Sequence, residues 1–413
     1  MAFIGRQPTP APLTSSDITD GIVSKAKIAN DAIDNTKLDL TDDYAFTGTI
    51  TGAGQSLRPN SKPIIINGDM AVSQRTTSTT IANDGLVTDR FKHQISHDGA
   101  TTVTQESLSS GNAYTNGFAN ALKIDVTTAD SSLSSSQRYF INYAIEGTDI
   151  QNIKKGTSSA EKLTLAFWVK ATKTGTNVVR CYTPDSDRSC SQSYTISSSN
   201  TWEHKVLNFP ADTTGTVIAD DNTSGMIFTW GVAVGSSYTS GTLATTWAAN
   251  SSANDYVGQV NNLDNTSNNF HLTGVQLEVG EFSSTTLPPF QFETFGDNLA
   301  RCQRYYYRIN PDADAQASIG EASYYSSSAA FVCLEFPIAM RDSPSLEQTT
   351  GTDYFNLNRN SANDSFDSFN NLNASDHTSA QLYISSGISG TAGHGARCRF
   401  NDASARLAFS AEL

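Results

Sequence analysis

KLTLAFWVK, residues 162–170, places Leu163, Leu165, Phe167 and Val169 on one phase of an alternation and Thr164, Ala166, Trp168 and Lys170 on the other. A period of two belongs to a strand, here with one face packed inward and the other mixed. Segments of the same kind recur on both sides: PIIINGDMAV (63–72), ALKIDVTT (121–128), RYFINYAIEG (138–147), NVVRCYT (177–183), HKVLNFP (204–210), GMIFTWGVAVG (225–235) and NFHLTGVQLEVGEF (269–282). Most are bounded by clusters of Ser, Thr, Asn, Gly or Asp. Many short strands at such spacing predict a β-sandwich or jelly roll.

Composition agrees. In 413 residues, 38% are hydrophobic and 16% charged, and Ser, Thr, Asn and Gly dominate the remainder, which favours strands and turns over helices. The formal net charge of −14 argues against a nucleic-acid partner, which would need clustered Lys and Arg. Five cysteines are too few for a disulfide framework, and the odd number leaves at least one thiol free in a monomer; Cys181 and Cys190 would close a hairpin only if they face one another. A reducing assembly compartment fits this usage. The opening MAFIGRQPTPAPLTSSD lacks a cationic start followed by an apolar core, and no apolar run approaches the ~20 residues that span a bilayer. Neither secretion by signal peptide nor membrane insertion is expected.

Three further regions frame the sandwich. Residues 1–14 are Pro-rich without periodicity and are expected to be clamped by a partner or by copies of the chain. ITDGIVSKAKI (18–28) and IANDAIDNTKL (28–38) form an imperfect repeat whose Ile18, Ile22, Ile28, Ile33 and Leu38 one chain cannot easily bury. Parallel copies around a three-fold axis would shelter this stripe; one amphipathic helix over 24–38 is the competing reading. After Pro288 and Pro289, FETFGDNLARCQRYYYRI (292–309) predicts a helix capped by Asp297 or Asn298, with Leu299, Cys302 and Tyr306 on one face. Tyr305, Tyr306 and Tyr307 would anchor the corner after it, and Arg301, Arg304 and Arg308 would pair with acids at an interface. AAFVCLEFPIAM (329–340), AQLYISSGI (380–388) and ARLAFSAEL (405–413) then predict a second β-domain, with SANDSFDSFNNLNASDHTS (361–379) as its long loop.

Catalytic patterns are absent from the sequence. His93 and His97 on a strand would stand about 13 Å apart, too far for one ion. There is no G-x-S-x-G elbow and no phosphate loop of the G-x-x-x-x-G-K type. The acidic pairs Asp185 and Asp187, Asp312 and Asp314, and Asp364 and Asp367 sit in turn-like, soluble contexts that would not position two carboxyls for glycan hydrolysis.

Four passages together carry a resemblance: IGRQPTPAPLTSSDI (4–18) with the two repeat units, IIINGDMAVSQR (64–75) with GLVTDRF (85–91), LTGVQLEVGEFSSTTLPPFQFETFGDNLARCQRYYYR (272–308), and FPIAMRDSPSL (336–346). The chain resembles tail fibres and related virion proteins of marine and other podovirus-like phages. NGDM and GVQLEVG are also similar to the first and last strands of jelly-roll carbohydrate-binding modules. This resemblance implies an all-β, elongated multidomain fibre. Residues 1–60 would form a virion-anchoring segment and intertwined trimeric stem, 61–295 a jelly-roll carbohydrate-binding-like domain, and 296–413 a helix plus C-terminal β-sandwich tip.

It further implies a non-enzymatic homotrimer, assembled in the host bacterial cytoplasm, carried on the virion tail and attaching to host-surface polysaccharide. Phe3, Ile4, Arg6, Pro8 and Pro10 would dock on other tail or capsid proteins. A structural calcium site would fall at Asn67, Asp69 and Glu278, although Met70 stands where those modules carry an aromatic. Stacking on sugar faces needs exposed rings with polar groups beside them. Trp168, Trp230, Trp247, Tyr324 and Tyr325 are the candidates, with core packing as the alternative for Trp230 and Trp168. A purely structural capsid-decorating fibre or tail adaptor shares all these motifs. A glycan-degrading tailspike would normally carry long β-helix coils, and no such repeat is present.

Overall fold

Alternation of apolar and polar positions carries through to two sheets packed face to face. The structure, a computed structural model, describes residues 62–413 apart from 82, 311, 360 and 361. The stem positions Ile18, Ile22, Ile28, Ile33 and Leu38 and the anchor positions Phe3, Ile4, Arg6, Pro8 and Pro10 lie outside the described residues. In chain order the larger sandwich uses β1 (Ser78–Ile81), β2 (Gly85–Leu86), β3 (Lys92–Ser96), β4 (Ala100–Ser107), β5 (Asn120–Thr128), β6 (Arg138–Glu146), β7 (Leu163–Ala171), β8 (Gly175–Thr183), β9 (Arg188–Ile196), β10 (Glu203–Phe209), β11 (Ser224–Val234), β12 (Ala248–Ala249) and β13 (Asn269–Val279). One sheet runs β1-β4-β5-β13-β7-β10 and the other β12-β9-β8-β11-β6-β3-β2, so the chain alternates between sheets as in a jelly roll. The inner phase of each strand fills one core, in which Phe91, Phe167, Phe228, Trp230 and Tyr139 are fully buried.

The segment 63–72, expected as the first strand, is instead an irregular loop. Ile65, Ile66, Met70 and Val72 are all buried, which an alternating strand at one sheet edge cannot achieve. Asn67 (φ 59°) and Met70 (φ 57°) adopt left-handed backbone. The Asn67 side chain closes the loop: its Oδ1 accepts from Val72 N–H at 2.8 Å, and its Nδ2 donates to the Val72 and Asp89 carbonyls at 2.9 Å each. Gly68 lies on the β13 backbone, where a Cβ would sit 2.2 Å from the Val275 carbonyl oxygen, so only glycine fits.

A helix, α1 (Phe295–Gln303), follows the sandwich. Its N-cap is Thr294, not Asp297 or Asn298. Thr294 Oγ1 accepts from Asp297 N–H at 3.2 Å and donates to Asp297 Oδ2 at 2.7 Å, a reciprocal box that leaves Asn298 free to turn inward. Thr294→Ala is expected to cost about 1 kcal/mol, measured by denaturant unfolding. An unchanged midpoint would show that the box contributes nothing.

Beyond the helix, β14 (Tyr306–Ile309), β15 (Ser318–Tyr324), β16 (Ala330–Glu335), β17 (Ser345–Gln348), β18 (Phe355–Arg359), β19 (Ala362–Phe366), β20 (Asn371–Ser375), β21 (Ser379–Ile384), β22 (Gly395–Phe400) and β23 (Leu407–Ser410) form a second sandwich. Its sheets run β14-β23-β17 and β19-β18-β22-β15-β16-β21-β20, and Val332, Leu357, Leu382, Phe400, Leu407 and Phe409 share its core. The stretch 361–379, expected as one long loop, supplies β19 and β20. Both are edge strands whose ladders need backbone groups rather than apolar side chains, and Phe366 and Phe369, with the partly buried Leu372, pin the stretch to the core.

The tyrosine corner behaves as expected. Tyr305 and Tyr306 are buried, and Tyr307 packs on Phe336. Arg301 meets Glu293 at 2.7 Å and Arg304 meets Glu146 at 2.6 Å, while Arg308 instead donates to the Gln74 carbonyl at 3.0 Å. Cys181 and Cys190 do stand opposite one another on β8 and β9, both as buried free thiols.

Candidate functional site

On β6, β11 and β8 the inward phase is mainly apolar and on β3 it is His93 and Ile95, so the outward phase is left largely to polar side chains, and cross-strand register lines these up. Lys92 lies opposite Asn142, Asn142 opposite Thr229, and Thr229 opposite Arg180. The adjacent row is Ala144, Ile227 and Tyr182. Part of this face is roofed: Tyr238, Leu243 and Tyr256, from the 235–262 connection, pack on Phe140 and Val178, with the Phe140 and Tyr256 rings stacked at 4.7 Å. The rest is open, and a cleft of about 270 Å³ lies over the two rows, bordered by Asp84, Gln94 and Glu412.

The cleft's side chains are pre-set by bonds to one another. Thr229 Oγ1 donates to Asn142 Oδ1 at 2.7 Å, and Asn142 Nδ2 donates to Gln94 Oε1 at 3.3 Å. The Arg180 guanidinium lies 4.3 Å from the Tyr182 ring centre and donates to Asn250 Oδ1 at 2.7 Å. Its Nε stands 3.1 Å from Asp255 Oδ2, an ion pair by distance although the N–H is not aimed at the oxygen. Burial raises the Asp255 carboxyl, with Arg180 opposing. Tyr182 donates to Asp187 Oδ1 at 3.1 Å, and desolvation with the nearby carboxylate raises its phenol, so it stays a neutral donor. The Lys92 ammonium has neither a hydrogen bond nor an ion pair among the described residues. A half-buried aromatic ring, amides, a hydroxyl and an unpaired ammonium together suit a polyhydroxylated ligand.

The sequence candidates are dispersed. Trp230 is fully buried between Phe91 and Phe167 and cannot meet a ligand. Trp247 packs against the core, with its indole N–H donating to the Pro210 carbonyl at 2.7 Å. Tyr324 is buried in the second sandwich, donating to Asp364, with Arg359 over its ring. Tyr325, its neighbour on the opposite phase, is 72% exposed beside Phe331. Trp168 is half-buried, stacked with His204 on the outer face of the six-stranded sheet.

The three implied calcium ligands are each engaged by protein groups. Asn67 spends its side chain on the loop described above. Asp69 accepts from Ala71 N–H at 3.4 Å and Asn298 Nδ2 at 3.2 Å, and Glu278 accepts from Gln276 at 2.9 Å. Among the described residues no group of three or more His, Cys, Asp and Glu could hold a metal ion. Lys92, Asn142, Arg180, Tyr182 and Thr229 were missed by the sequence reading. Their signal was present in NVVRCYT, where Val179 and Cys181 point inward and force Arg180 and Tyr182 outward.

No family model matches the chain, and no curated protein matches it. Solved structures do. The enzymatically active domain of bacteriophage CBA120 tailspike protein 4 is 10% identical with a TM-score of 0.27, over 52% of this chain and 21% of that one. TmCBM61 in complex with β-1,4-galactotriose is 8% identical with a TM-score of 0.25, over 53% and 99%. The family 11 carbohydrate-binding module from Clostridium thermocellum, in complex with a β-1,3-1,4-mixed-linked tetrasaccharide, is 12% identical with a TM-score of 0.24, over 50% and 98%. The chain is thus similar, at low scores, to carbohydrate-binding modules and to a phage tailspike domain of which it spans about a fifth.

Proposed function

We propose that the chain is a phage tail fibre or spike, a homotrimer anchored to the particle through residues 1–60, which attaches to host-surface polysaccharide through the cleft on the seven-stranded sheet. The row Lys92, Asn142, Thr229 and Arg180 beside the Tyr182 ring carries this reading. It offers donors and acceptors that are already ordered, so a glycan need not pay to arrange them. The isoleucine stripe supports the trimer, and three shallow sites on one stem would gain avidity. Adhesion is favoured over hydrolysis because Glu412, at the cleft rim, is held between Arg90 at 2.8 Å and Arg75 at 3.2 Å. With one carboxylate oxygen taken by each guanidinium, this side chain is not free to meet a glycosidic oxygen as the partner that hydrolysis needs beside Asp84.

The test is binding of the full chain to a panel of immobilised bacterial lipopolysaccharides and capsular polysaccharides, with sedimentation to establish the oligomer. A trimer that binds a subset of the panel, releases no reducing ends and loses about tenfold in affinity in Tyr182→Ala is the expected result. Binding to nothing on the panel, or binding unaffected by Tyr182→Ala and Lys92→Ala, would overturn the cleft as the attachment site.

A further inference from the structure

A second concave site lies on the opposite face of the same sandwich. It is a groove of about 360 Å³ over the six-stranded sheet, lined by Trp168, His204, Phe118, Phe292, Gly274 and Gln276. Cross-strand register creates it: Trp168 on β7 stands opposite His204 on β10 and Thr273 on β13. The β13 ladder breaks between Thr273 and Gln276, and at this bulge Gly274 takes φ +60°. A Cβ on Gly274 would approach Phe118 to 2.7 Å and Trp168 to 2.9 Å, so glycine keeps the floor of the groove clear.

The lining has the chemistry of a sugar site. Trp168 and His204 stack at 4.9 Å and 30°, and Phe118 lies 5.1 Å from Phe292, which is 49% exposed. Neither the Trp168 indole N–H nor the His204 ring has a hydrogen-bond partner among the described residues. Burial lowers the His204 pKa, which keeps the ring neutral, with one donor and one acceptor. Gln276 spends its amide nitrogen on the Pro288 carbonyl at 2.9 Å and on Glu278, leaving its Oε1 as an acceptor. Rings beside unspent polar groups, in a volume within the usual small-molecule range of about 300–1,000 Å³, fit the apolar face and hydroxyl rim of one or two pyranose units.

We infer that the Trp168–His204 groove is a second, independent carbohydrate site for a neutral pyranose, so that each chain meets glycan on both faces of its sandwich. The choice of ligand class rests on the glycan-binding reading above. The chain has four tryptophans. Full chain labelled with 5-fluorotryptophan, its Trp168 line assigned by Trp168→Phe, would be titrated with methyl β-galactopyranoside and methyl α-glucopyranoside. The same preparation would be tested on the polysaccharide panel.

The expected result is a saturable shift of the Trp168 line with at least one glycoside, retained in Tyr182→Ala and weakened about tenfold in His204→Ala. A fixed Trp168 line in a chain whose panel binding still depends on Tyr182 would overturn the second site and leave the cleft standing. A fixed line together with no panel binding would overturn both.

Discussion

Glu412→Ala is expected to destabilise the fold by about 3–5 kcal/mol, because it strands a charge in the interior. Arg90 is 4% exposed and its guanidinium donates to Glu412 Oε2 at 2.8 Å and to the Ala144 carbonyl at 2.7 Å, lying 3.4 Å from the Tyr305 ring centre. Burial alone would lower the Arg90 pKa; the Glu412 charge overrides it and raises it. The same carboxylate meets Arg75, which lies over the Tyr306 ring at 3.5 Å. Beside this cluster, Glu146 accepts from Arg304 Nε at 2.8 Å and from the Tyr305 hydroxyl at 2.5 Å.

These charges tie the first sandwich to the corner of the second and to the residues that follow its last strand. The expected loss is therefore a single cooperative shift of the denaturant midpoint rather than local fraying. Arg90→Met with Glu412→Leu should recover most of it, since an apolar pair of similar volume leaves no unpaired charge. A single variant that unfolds at the wild-type midpoint would show that Arg90 finds another partner.

The second large effect is on pH dependence. His93 is fully buried, its Nδ1 3.0 Å from the Tyr139 hydroxyl, and burial lowers its pKa from 6.5 to about 3. The unfolded chain takes up this proton near 6.5 and the native chain does not. Stability is therefore lost as pH falls from about 6.5 towards 3, on the order of 5 kcal/mol over the whole window.

Asp89 acts in the opposite sense. Burial raises it from 3.8 to about 6, partly offset by bonds from Gln74 N–H at 2.9 Å and Gln74 Nε2 at 2.5 Å, with Arg75 and Glu412 the nearby charges. Here the native chain binds the proton first, so stability is gained as pH falls from about 6 to 3.8, on the order of 3 kcal/mol. The two nearly cancel within that interval. Unfolding curves for His93→Gln should therefore rise relative to wild type as pH drops below 6.5. Parallel curves for variant and wild type between pH 7 and 4 would sink this account.

Much of the fold was legible because strand phase is a local property. The alternation in KLTLAFWVK and NVVRCYT separates inner from outer positions with no knowledge of the neighbours. Trp230 follows the same rule: it shares a phase with Met226, Phe228 and Val232, all buried, so its place in the core was readable. The loop at 63–72 was not, since its left-handed residues and the Asn67 bonds depend on Val72, Asp89 and the β13 backbone being present.

The sequence by itself determined an all-β chain, the inner and outer phase of its central strands, and the helix with its aromatic corner. Only the tertiary structure decided the sites. Lys92, Asn142, Arg180 and Thr229 are far apart in the chain and become neighbours through register, which loops and bulges set. Whether an outward phase meets solvent depends on what lies above it: the 235–262 connection roofs Phe140 and Val178 and holds Arg180 through Asn250 and Asp255, while Tyr182 stays half-buried at the cleft. Phase is written in the spacing of side chains along one strand, whereas exposure is a property of layers, and layers form only when distant segments pack.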